Sequence, residues 1–238
     1  MILPIAILCG GIGSRMAHIT DKPKSLIEID GKPFVFHQLD LLNKNGFNKV
    51  VLCINHLGSM IQDVVGNQYK NIDVKYSLDP DGKLAGTAGA IRNALPLLGN
   101  TFFVMYGDSY LPIDYQRLQA FFLVYTYEYR NICMMTINKN NNKFDKSNIE
   151  YKDGRILRYE KTKIAETKME YIDYGISAFN KTAFQRFGNG NHDLSEVYKN
   201  LLVRNLLIGY EIKSRFYEIG SPEGLKDFEE YICSQKNT

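Results

Sequence analysis

The chain of 238 residues contains no tryptophan, only seven prolines and only four cysteines. The cysteines stand far apart, with no C-x-x-C pair and no histidine at the spacing of a metal ligand, at Cys9, Cys53, Cys133 and Cys233. This spacing excludes a disulfide framework and a zinc ribbon. Because Cys9 and Cys53 stand in apolar strand patterns, we expect both to be buried, reduced thiols.

The chain also has little net charge and lacks long apolar runs. The formal net charge is +3, and the one local excess of lysine, at Lys161 and Lys163, is too short for a nucleic-acid-binding stripe. No run reaches the length of a membrane span, and Pro4 and Gly10 interrupt the first apolar run before it could serve as a secretion signal. We therefore expect a cytoplasmic protein without nucleic-acid or membrane partners. The sequence does not fix its oligomeric state, and a homodimer is compatible with it.

The first two-thirds of the chain alternates apolar strand patterns with amphipathic helix patterns. Strands are predicted at Ile5–Leu8, Lys49–Ile54, Val74–Leu78 and Thr101–Met105, and helices at Pro33–Asn45, Gly58–Val65 and Thr87–Leu98. This order is typical of a parallel, doubly wound α/β sheet, which binds its ligands at the carboxyl ends of the strands.

The rest of the chain is richer in short strands. They are predicted at Ile132–Ile137, Ile149–Tyr151, Ile156–Tyr159, Tyr174–Phe179 and Glu211–Tyr217, with helices at Leu194–Asn205 and Pro222–Cys233. The asparagine-rich segment Asn138–Asn142 is predicted to be a polar turn or flap. No linker divides the chain, so we expect one domain over residues 1–238. Residues 1–125 would form its nucleotide-binding half, and residues 126–238 a β-rich layer that covers the open end of the sheet.

The most informative motif is a glycine turn directly after the first predicted strand, where residues 8–15 read LCGGIGSR. Gly10, Gly11 and Gly13 let backbone N–H groups approach an anion closely. Arg15, and Lys24 in the following run DKPKSL, supply positive charge at two distances from the turn. The motif therefore predicts a binding site for a polyphosphate.

Two better-known phosphate loops do not match this turn. A Walker A loop needs Lys followed by Ser or Thr at a fixed distance from its glycines, and that pair is absent. The dinucleotide fingerprint G-x-G-x-x-G lacks its third glycine, because Met16 stands in that place. From the residues alone, an ordinary strand-to-helix turn with incidental cations stays open as an alternative.

Asp108 follows the strand Thr101–Met105 through Tyr106 and Gly107. A carboxylate at the carboxyl end of a buried strand faces the ligand crevice of such a sheet, where it could hold Mg²⁺. An aspartate that only caps the turn is an equally good interpretation of these residues.

In their order along the chain, LCGGIGSR and DKPKSL resemble the signature G-G-x-G-[ST]-R…P-K of the sugar-phosphate nucleotidyltransferases. The resemblance continues through GTAGAI (86–91), YGDSY (106–110), RYEKT (158–162), YIDYGISAF (171–179) and FYEIGSPEGL (216–225). It implies the nucleotide-diphospho-sugar transferase fold, a Rossmann-like, doubly wound mixed sheet with a smaller β-rich sugar-binding layer. It also implies an Mg²⁺-dependent reaction in which an NTP and a sugar 1-phosphate give an NDP-sugar and pyrophosphate.

The resemblance assigns roles to the residues at matching positions. Arg15 and Lys24 would be catalytic, and Asp108 with Glu218 would bind Mg²⁺. The nucleotide would contact Leu8, Gly10, Gly11, Gly13, Ser14, Asn55, Gly86 and Thr87, and the sugar phosphate would contact Glu160, Lys161, Asp173 and Gly175. Two positions depart from the family's pattern: it usually has aspartate where Glu218 stands and often asparagine where Asp173 stands. Asp145 and His192 match no motif, and we expect them to be turn or surface residues.

Several functions stay open at this point. Within the family, the short chain looks most like bacterial guanylyl- or uridylyltransferases for heptose or hexose 1-phosphates, which would supply precursors of cell-surface polysaccharides. A cytidylyltransferase for a phospho-alcohol on the same fold is the enzymatic alternative. A catalytically silent nucleotide-binding paralogue is another, and Glu218 is its only hint. A dinucleotide-dependent oxidoreductase would need an acidic residue after the second strand, where Asn55 stands instead.

Overall fold

The computed structural model describes residues 2–11, 21–55, 57–79, 84–130, 132–161, 169–188 and 190–236. Its strands are β1 (Ile5–Leu8), β2 (Glu28–Ile29), β3 (Lys32–Pro33), β4 (Lys49–Ile54), β5 (Gln68–Tyr69), β6 (Ile72–Leu78), β7 (Thr101–Tyr106), β8 (Ser109–Tyr110), β9 (Cys133–Lys139), β10 (Ile149–Lys152), β11 (Arg155–Tyr159), β12 (Tyr171–Asn180), β13 (Leu207–Glu211) and β14 (Tyr217–Glu218). Its α-helices are α1 (Phe34–Lys44), α2 (Gly58–Val65), α3 (Gly86–Leu98), α4 (Tyr115–Tyr129), α5 (Leu194–Val203) and α6 (Pro222–Lys236).

Ten of the described strands form one mixed sheet. Eight of them follow the order β11-β10-β12-β7-β1-β4-β6-β5, while β9 pairs with β12 and β13 pairs with β9. The centre of the sheet is parallel, because Ile5 of β1 pairs with Val50 of β4 on one side and with Phe103 of β7 on the other. The predicted doubly wound α/β fold class is confirmed.

The strands of the second half continue this same sheet. β12 runs antiparallel to β7, with Ile176 opposite Met105. Through this pairing, the five strands from β9 through β13 are attached to the parallel strands, so the β-rich part extends the sheet beside β7. Residues on β12 are thereby brought next to the end of β7, where Asp108 follows.

Two hydrophobic layers cover the two faces of the sheet. Since side chains alternate along a strand, Ile5 and Ile7 pack toward α1, α2 and α4, whereas Ala6 packs toward α3 and α5. A third, smaller cluster holds α6 in place through Phe228, whose ring meets that of Phe34 edge-on at 5.3 Å.

The strand predicted at Glu211–Tyr217 is wrong. The strand lies earlier, at Leu207–Glu211, and pairs in parallel with β9. Gly209 makes this pairing compatible with the packing of Tyr151, because a Cβ at residue 209 would lie 2.8 Å from the Tyr151 ring. A glycine in the middle of an apolar run weakens the sequence signal of a strand, which explains the error.

One helix was not predicted at all. α4 follows Asp114, whose carboxylate accepts a hydrogen bond from Arg117 N at 2.9 Å. This aspartate is the usual start signal of a helix. The segment behind it is so rich in aromatic residues that no apolar stripe stands out in the sequence.

The segment Asn138–Asn142 is more ordered in its contacts than the predicted polar turn or flap. Asn138 belongs to β9, and Asn138 and Asn140 are both buried. The side-chain oxygen of Asn140 accepts from Phe144 N at 3.0 Å, and that of Asn142 accepts from Ser147 N at 2.8 Å. These amides satisfy the backbone of the loop that they form.

The four cysteines all lie in the described ranges and are thiols outside any disulfide, and Cys53 and Cys133 are buried. Cys9 is half-buried at the end of β1, where burial, with the nearby Asp108 charge, raises the pKa of its thiol to about 12. Cys233 is exposed on α6. Across the described ranges, no helix is both long enough and apolar enough to span a membrane.

Candidate active site

A cleft of about 360 Å³ opens where β1, β4, β6 and β7 end and where α3 begins. A cleft of this volume suits a nucleotide-sized ligand. Its walls include the following predicted site residues: Leu8, Gly10, Gly11, Lys24, Gly86, Thr87 and Asp108. Gly13, Ser14 and Arg15 lie outside the described residues.

Lys24 and Asp108 form an ion pair at one end of the cleft. Lys24 Nζ donates to Asp108 Oδ2 at 3.0 Å, and the two side chains are 19% and 28% exposed. The two residues are 84 positions apart in the chain. The fold therefore brings together the predicted phosphate-binding cation and the predicted metal-binding carboxylate.

The turn that carries Asp108 is fixed against β1. Gly107 N donates to Leu8 O at 3.1 Å, and a Cβ on Gly107 would overlap this same carbonyl oxygen. Only glycine allows the backbone to pass so close to the end of β1. The position of Asp108 over the cleft follows from this close approach.

Glu218 lies on the strand next to Asp108. β14 pairs with β8, and Ile219 N donates to the backbone oxygen of Asp108 at 2.9 Å. The Glu218 carboxylate accepts from Gly220 N at 2.7 Å and from the Ser221 hydroxyl at 3.1 Å, directly before α6. The fold thus holds Glu218 in one orientation beside the Asp108 turn.

Asn55 braces the glycine turn. Its side-chain amide donates to the backbone oxygen of Gly10, and its side-chain oxygen accepts from Leu57 N at 3.4 Å. The side chain thereby ties the end of β4 to the turn that follows β1. A contact of Asn55 with a base or ribose stays a prediction.

The other end of the cleft is built by α3 and the end of β6. Asp79 accepts from Ala85 N at 3.1 Å and lines the cleft together with Gly86. Gly86 has a φ of +70°, and a Cβ there would overlap the backbone of His192. The Thr87 hydroxyl donates to Asp193 at 3.2 Å and accepts from Leu194 N at 2.7 Å, so protein contacts already engage it.

Asp173 lies on β12, beside the cleft. Its carboxylate accepts from Gly175 N at 3.0 Å and from the Tyr106 hydroxyl at 3.3 Å. Burial raises the pKa of the Asp173 carboxyl from 3.8 to about 6, against the opposing effects of these hydrogen bonds and of the Lys161 charge. Gly175 follows with a φ of +104°, at an irregularity in the pairing of β12 with β9.

Glu160 and Lys161 bind two residues of the α5 segment. Lys199 Nζ donates to Glu160 at 2.8 Å, and Lys161 Nζ donates to both oxygens of Asp193, at 3.1 and 2.9 Å. The Lys161 charge also opposes the rise in the pKa of Asp173, so Lys161 lies near that carboxylate.

The family model for nucleotidyl transferases matches residues 5–233 of the chain. The chain belongs to this nucleotidyl transferase family. The resemblance drawn from its motifs is therefore confirmed, and with it the assignment as a transferase.

Two curated relatives match the chain, one over nearly its whole length and the other over about half of it. The D-glycero-alpha-D-manno-heptose 1-phosphate guanylyltransferase of Campylobacter jejuni is 30% identical over 231 residues, 93% of this chain and 96% of that enzyme. The N-acetylmuramate alpha-1-phosphate uridylyltransferase of Neisseria meningitidis is 42% identical over 114 residues, 46% of this chain and 48% of that enzyme.

A solved structure has the same fold. The putative glucose-1-phosphate thymidylyltransferase of Bacillus anthracis, determined in complex with a sucrose, matches with a TM-score of 0.83 at 18% identity, over 96% of this chain and 94% of its own. The predicted nucleotide-diphospho-sugar transferase fold of this nucleotidyl transferase is confirmed.

Asp193, like Asp79 and Tyr106 in the cleft wall, is a site residue that the sequence did not indicate. It is the N-cap of α5, where its carboxylate accepts from Ser195 N at 2.9 Å while Asp193 N donates to Glu196. The spacing of Asp193 and Glu196 is that of a capping box, a signal that was present in the sequence. His192, expected at the surface, is half-buried, and its backbone oxygen accepts from Ala88 N at 2.9 Å. Asp145 lies in an exposed turn, as expected.

We expect Asp173→Asn to stabilise the protein at neutral pH. A carboxyl whose pKa is raised in the folded state binds protons more tightly there, so its contribution to stability falls as the pH rises from about 4 to about 6. The shift corresponds to at most about 3 kcal/mol at pH 7.5. Asparagine keeps the size of the side chain and an oxygen for Gly175 N.

Urea unfolding at pH 4.5 and pH 7.5 measures this effect. The free energy of unfolding of Asp173→Asn should exceed that of the wild type at pH 7.5, by a smaller margin at pH 4.5. Asp63→Asn, at an exposed position of α2, serves as the control. Equal differences at the two pH values would contradict the expectation.

Proposed function

We propose that the protein joins a nucleoside triphosphate and a sugar 1-phosphate to an NDP-sugar and pyrophosphate, as a heptose or hexose 1-phosphate guanylyltransferase. The observation that carries the proposal is the position of Tyr106. It lines the cleft that contains Lys24 and Asp108, and its hydroxyl donates to Asp173 at 3.3 Å. One residue thus forms the boundary between a site for a nucleotide and a site rich in groups that bind sugar hydroxyls.

The width of the sheet supports a nucleotide in the cleft. Asp108 follows β7 and Asp79 follows β6, and β1 and β4 lie between these strands. Three strand spacings amount to about 14 Å, roughly the length of an extended nucleoside triphosphate. We propose that the phosphates lie at the Lys24 end and the base at the Asp79 end.

The reaction needs positioning and charge neutralisation more than covalent work by the protein. An oxygen of the sugar 1-phosphate forms a bond to the α-phosphorus of the NTP, and the bond to the β-phosphate oxygen breaks to release pyrophosphate. The nucleophile is already an anion and needs no general base. Lys24 would neutralise charge at the α-phosphate, and Lys161 would exchange Asp193 for the 1-phosphate and orient it.

The residues present fit a single Mg²⁺. In the described part of the chain, no group of three or more His, Cys, Asp or Glu side chains is arranged to hold a metal. Mg²⁺ bound with a nucleotide typically uses one or two carboxylates and takes its other oxygens from phosphates and water. Asp108, in the turn before β8, and Glu218, on the neighbouring strand β14, would supply this number, and Asp108 already accepts a cationic partner in Lys24. The ion would supply positive charge to the phosphates.

The chemistry of the base end favours guanine. Asp79 lines the cleft with a carboxylate that accepts from Ala85 N at 3.1 Å and from the Asn93 amide at 3.5 Å. Guanine offers N–H donors on its N1 and N2 atoms, for which such a carboxylate has acceptor capacity left. The guanylyltransferase relative that covers nearly the whole chain supports the same choice. The uridylyltransferase relative makes UTP the most informative competitor.

A pyrophosphate-release assay tests the proposal. The protein is incubated with Mg²⁺, each of the four NTPs and a panel of heptose, mannose, glucose and N-acetylmuramate 1-phosphates. We expect kcat/KM to be at least about 10-fold higher with GTP than with the other NTPs. Release only with CTP and a phospho-alcohol would support the cytidylyltransferase instead. Nucleotide binding without release from any pair would support a silent paralogue.

We expect Glu218→Gln to raise the Mg²⁺ concentration that gives half the maximal rate, because the charge is lost while the size is kept. Glu218→Asp should raise it less, and Mn²⁺ should recover part of that loss, since it tolerates longer distances. Glu229→Gln makes the same change at an exposed position of α6 and serves as the control. A metal titration of Glu218→Gln that matches the wild type would leave Asp108 as the sole carboxylate.

A further inference from the structure

Gln38 is a polar residue among the buried, mostly apolar residues of α1. It is 1% exposed, and neither the motifs nor the family resemblance assigns it a role. A buried amide costs free energy unless it is hydrogen-bonded, so its partners indicate why it is there.

The partners of Gln38 are the two backbone oxygens on either side of the Asp108 turn. Its side-chain nitrogen donates to Ser109 O at 2.7 Å and to Tyr106 O at 3.3 Å. Only Gly107 and Asp108 lie between these residues. Two acceptors on one side require the NH₂ group to face them, which fixes the orientation of the amide.

The same helix also holds the segment that carries Lys24. Phe34 N, at the start of α1, donates to Ile27 O at 2.9 Å. Leu26, within the short helical turn Lys24–Leu26, packs in the same hydrophobic cluster as Val35 and Leu39. α1 is therefore the common support of both members of the Lys24–Asp108 pair.

We propose that Gln38 is a positioning residue, which fixes the Asp108 turn in register with Lys24. The Asp108 turn is fastened to β1 through Gly107 and to β14 through Ile219, and Gln38 fastens it to α1. Without Gln38 the turn keeps its hydrogen bonds to β1 and β14 but loses these two hydrogen bonds to the helix that supports Lys24. The consequence for a cation at Asp108 rests on the proposed function, whereas the effect on the turn does not.

Amide hydrogen exchange tests the effect on the turn, on the protein without metal or nucleotide. Gln38→Met keeps the length of the side chain and removes both hydrogen bonds. The Gly107 amide donates to Leu8 O of β1, and the Ile219 amide donates to Asp108 O of the turn. We therefore expect the exchange rates of both amides to rise at least about 10-fold. Phe103, whose amide donates to Pro4 O, is the internal reference and should stay unchanged.

Asn138→Leu is the matched control. Asn138 is 6% exposed, and its side-chain nitrogen also donates to two backbone oxygens, those of Ile212 at 2.8 Å and Ser214 at 3.5 Å. The substitution removes an equivalent pair of hydrogen bonds away from the Asp108 turn. It should leave the exchange of Gly107 and Ile219 within about two-fold of the wild type.

Mn²⁺ binding, followed by electron paramagnetic resonance without nucleotide, tests the consequence for Asp108. We expect Gln38→Met to weaken Mn²⁺ binding about 10- to 100-fold, as for other residues that orient a metal ligand, and Asn138→Leu to leave it unchanged. Should Gln38→Met not fold, Gln38→Asn is too short to reach both oxygens and replaces it in both measurements.

Unchanged exchange of Gly107 and Ile219 in the Gln38 variant overturns the proposal. Faster exchange with unchanged Mn²⁺ affinity overturns the positioning of Asp108 toward a cation. A wild-type protein that releases no pyrophosphate from any substrate pair refutes the proposed function instead, and the exchange comparison still decides whether Gln38 holds the turn.

Discussion

Asp108→Asn should lower kcat at least about 100-fold, with little change in the fold. Asparagine has the size of aspartate and keeps an oxygen that can accept from Lys24 Nζ, so the contact across the cleft survives as a hydrogen bond. What is lost is the negative charge that would hold Mg²⁺ beside the phosphates. Pyrophosphate release at saturating concentrations of the NTP and acceptor pair that the release assay identifies, over a range of Mg²⁺ and Mn²⁺ concentrations, measures the loss.

Asp145→Asn is the control for this change, because Asp145 is an exposed turn residue. It should retain the wild-type kcat. If Asp108→Asn turned over at close to the wild-type rate at saturating Mg²⁺, the metal-binding role of Asp108 would be wrong. Urea unfolding of both variants establishes that a loss of rate is not a loss of folded protein.

Lys24→Ala should have two opposite effects. Its turnover should fall by about 100-fold or more, and much further than its affinity for the NTP, because the charge of Lys24 matters most while the α-phosphate carries five oxygens. In the protein without nucleotide, however, Lys24 Nζ lies 3.0 Å from Asp108 and competes with any other cation there. Removing it should therefore strengthen Mn²⁺ binding, which electron paramagnetic resonance measures.

Lys75→Ala provides the comparison for Lys24→Ala. Lys75 forms an ion pair of the same 3.0 Å length with Asp73, but the two side chains are 48% and 51% exposed. Neither turnover nor Mn²⁺ affinity should change in that variant. An unchanged kcat with only a raised KM in Lys24→Ala would mean that Lys24 binds the nucleotide without contributing to the chemistry.

The parallel half of the fold could be predicted because its signals are local. Continuous apolar runs and glycine turns mark the strands around Leu8, Ile54 and Met105, and the order of strands and helices determines the sheet. The carboxyl ends of those strands then indicate where the site lies. Asp108, Lys24 and Gly86 line one cleft in the structure, as the motifs require.

The partners of the site residues could not be predicted in the same way. Lys24 meets Asp108 across 84 residues, Gln38 meets Ser109 across 71, and Thr87 meets Asp193 across 106. A buried glutamine in an amphipathic helix has no signal of its own, because its value depends on two backbone oxygens of a distant turn. α4 and the strand that contains Gly209 were missed because aromatic crowding and a glycine obscured their periodicity.

Under the proposed function, in which the base lies at the Asp79 end of the cleft, the contacts of Asp193 would connect the two substrates. Its carboxylate binds Thr87 at the base end of the cleft and Lys161 beside Asp173. A phosphate that takes Lys161 would leave Asp193 with Thr87 and Ser195 N, and a base that shifts Thr87 would change how strongly Asp193 holds Lys161. The free energy of this coupling is the same in both directions, so each substrate changes the affinity for the other by an equal factor. In the proposed enzyme, one shared carboxylate would thus make the binding of the two substrates cooperative.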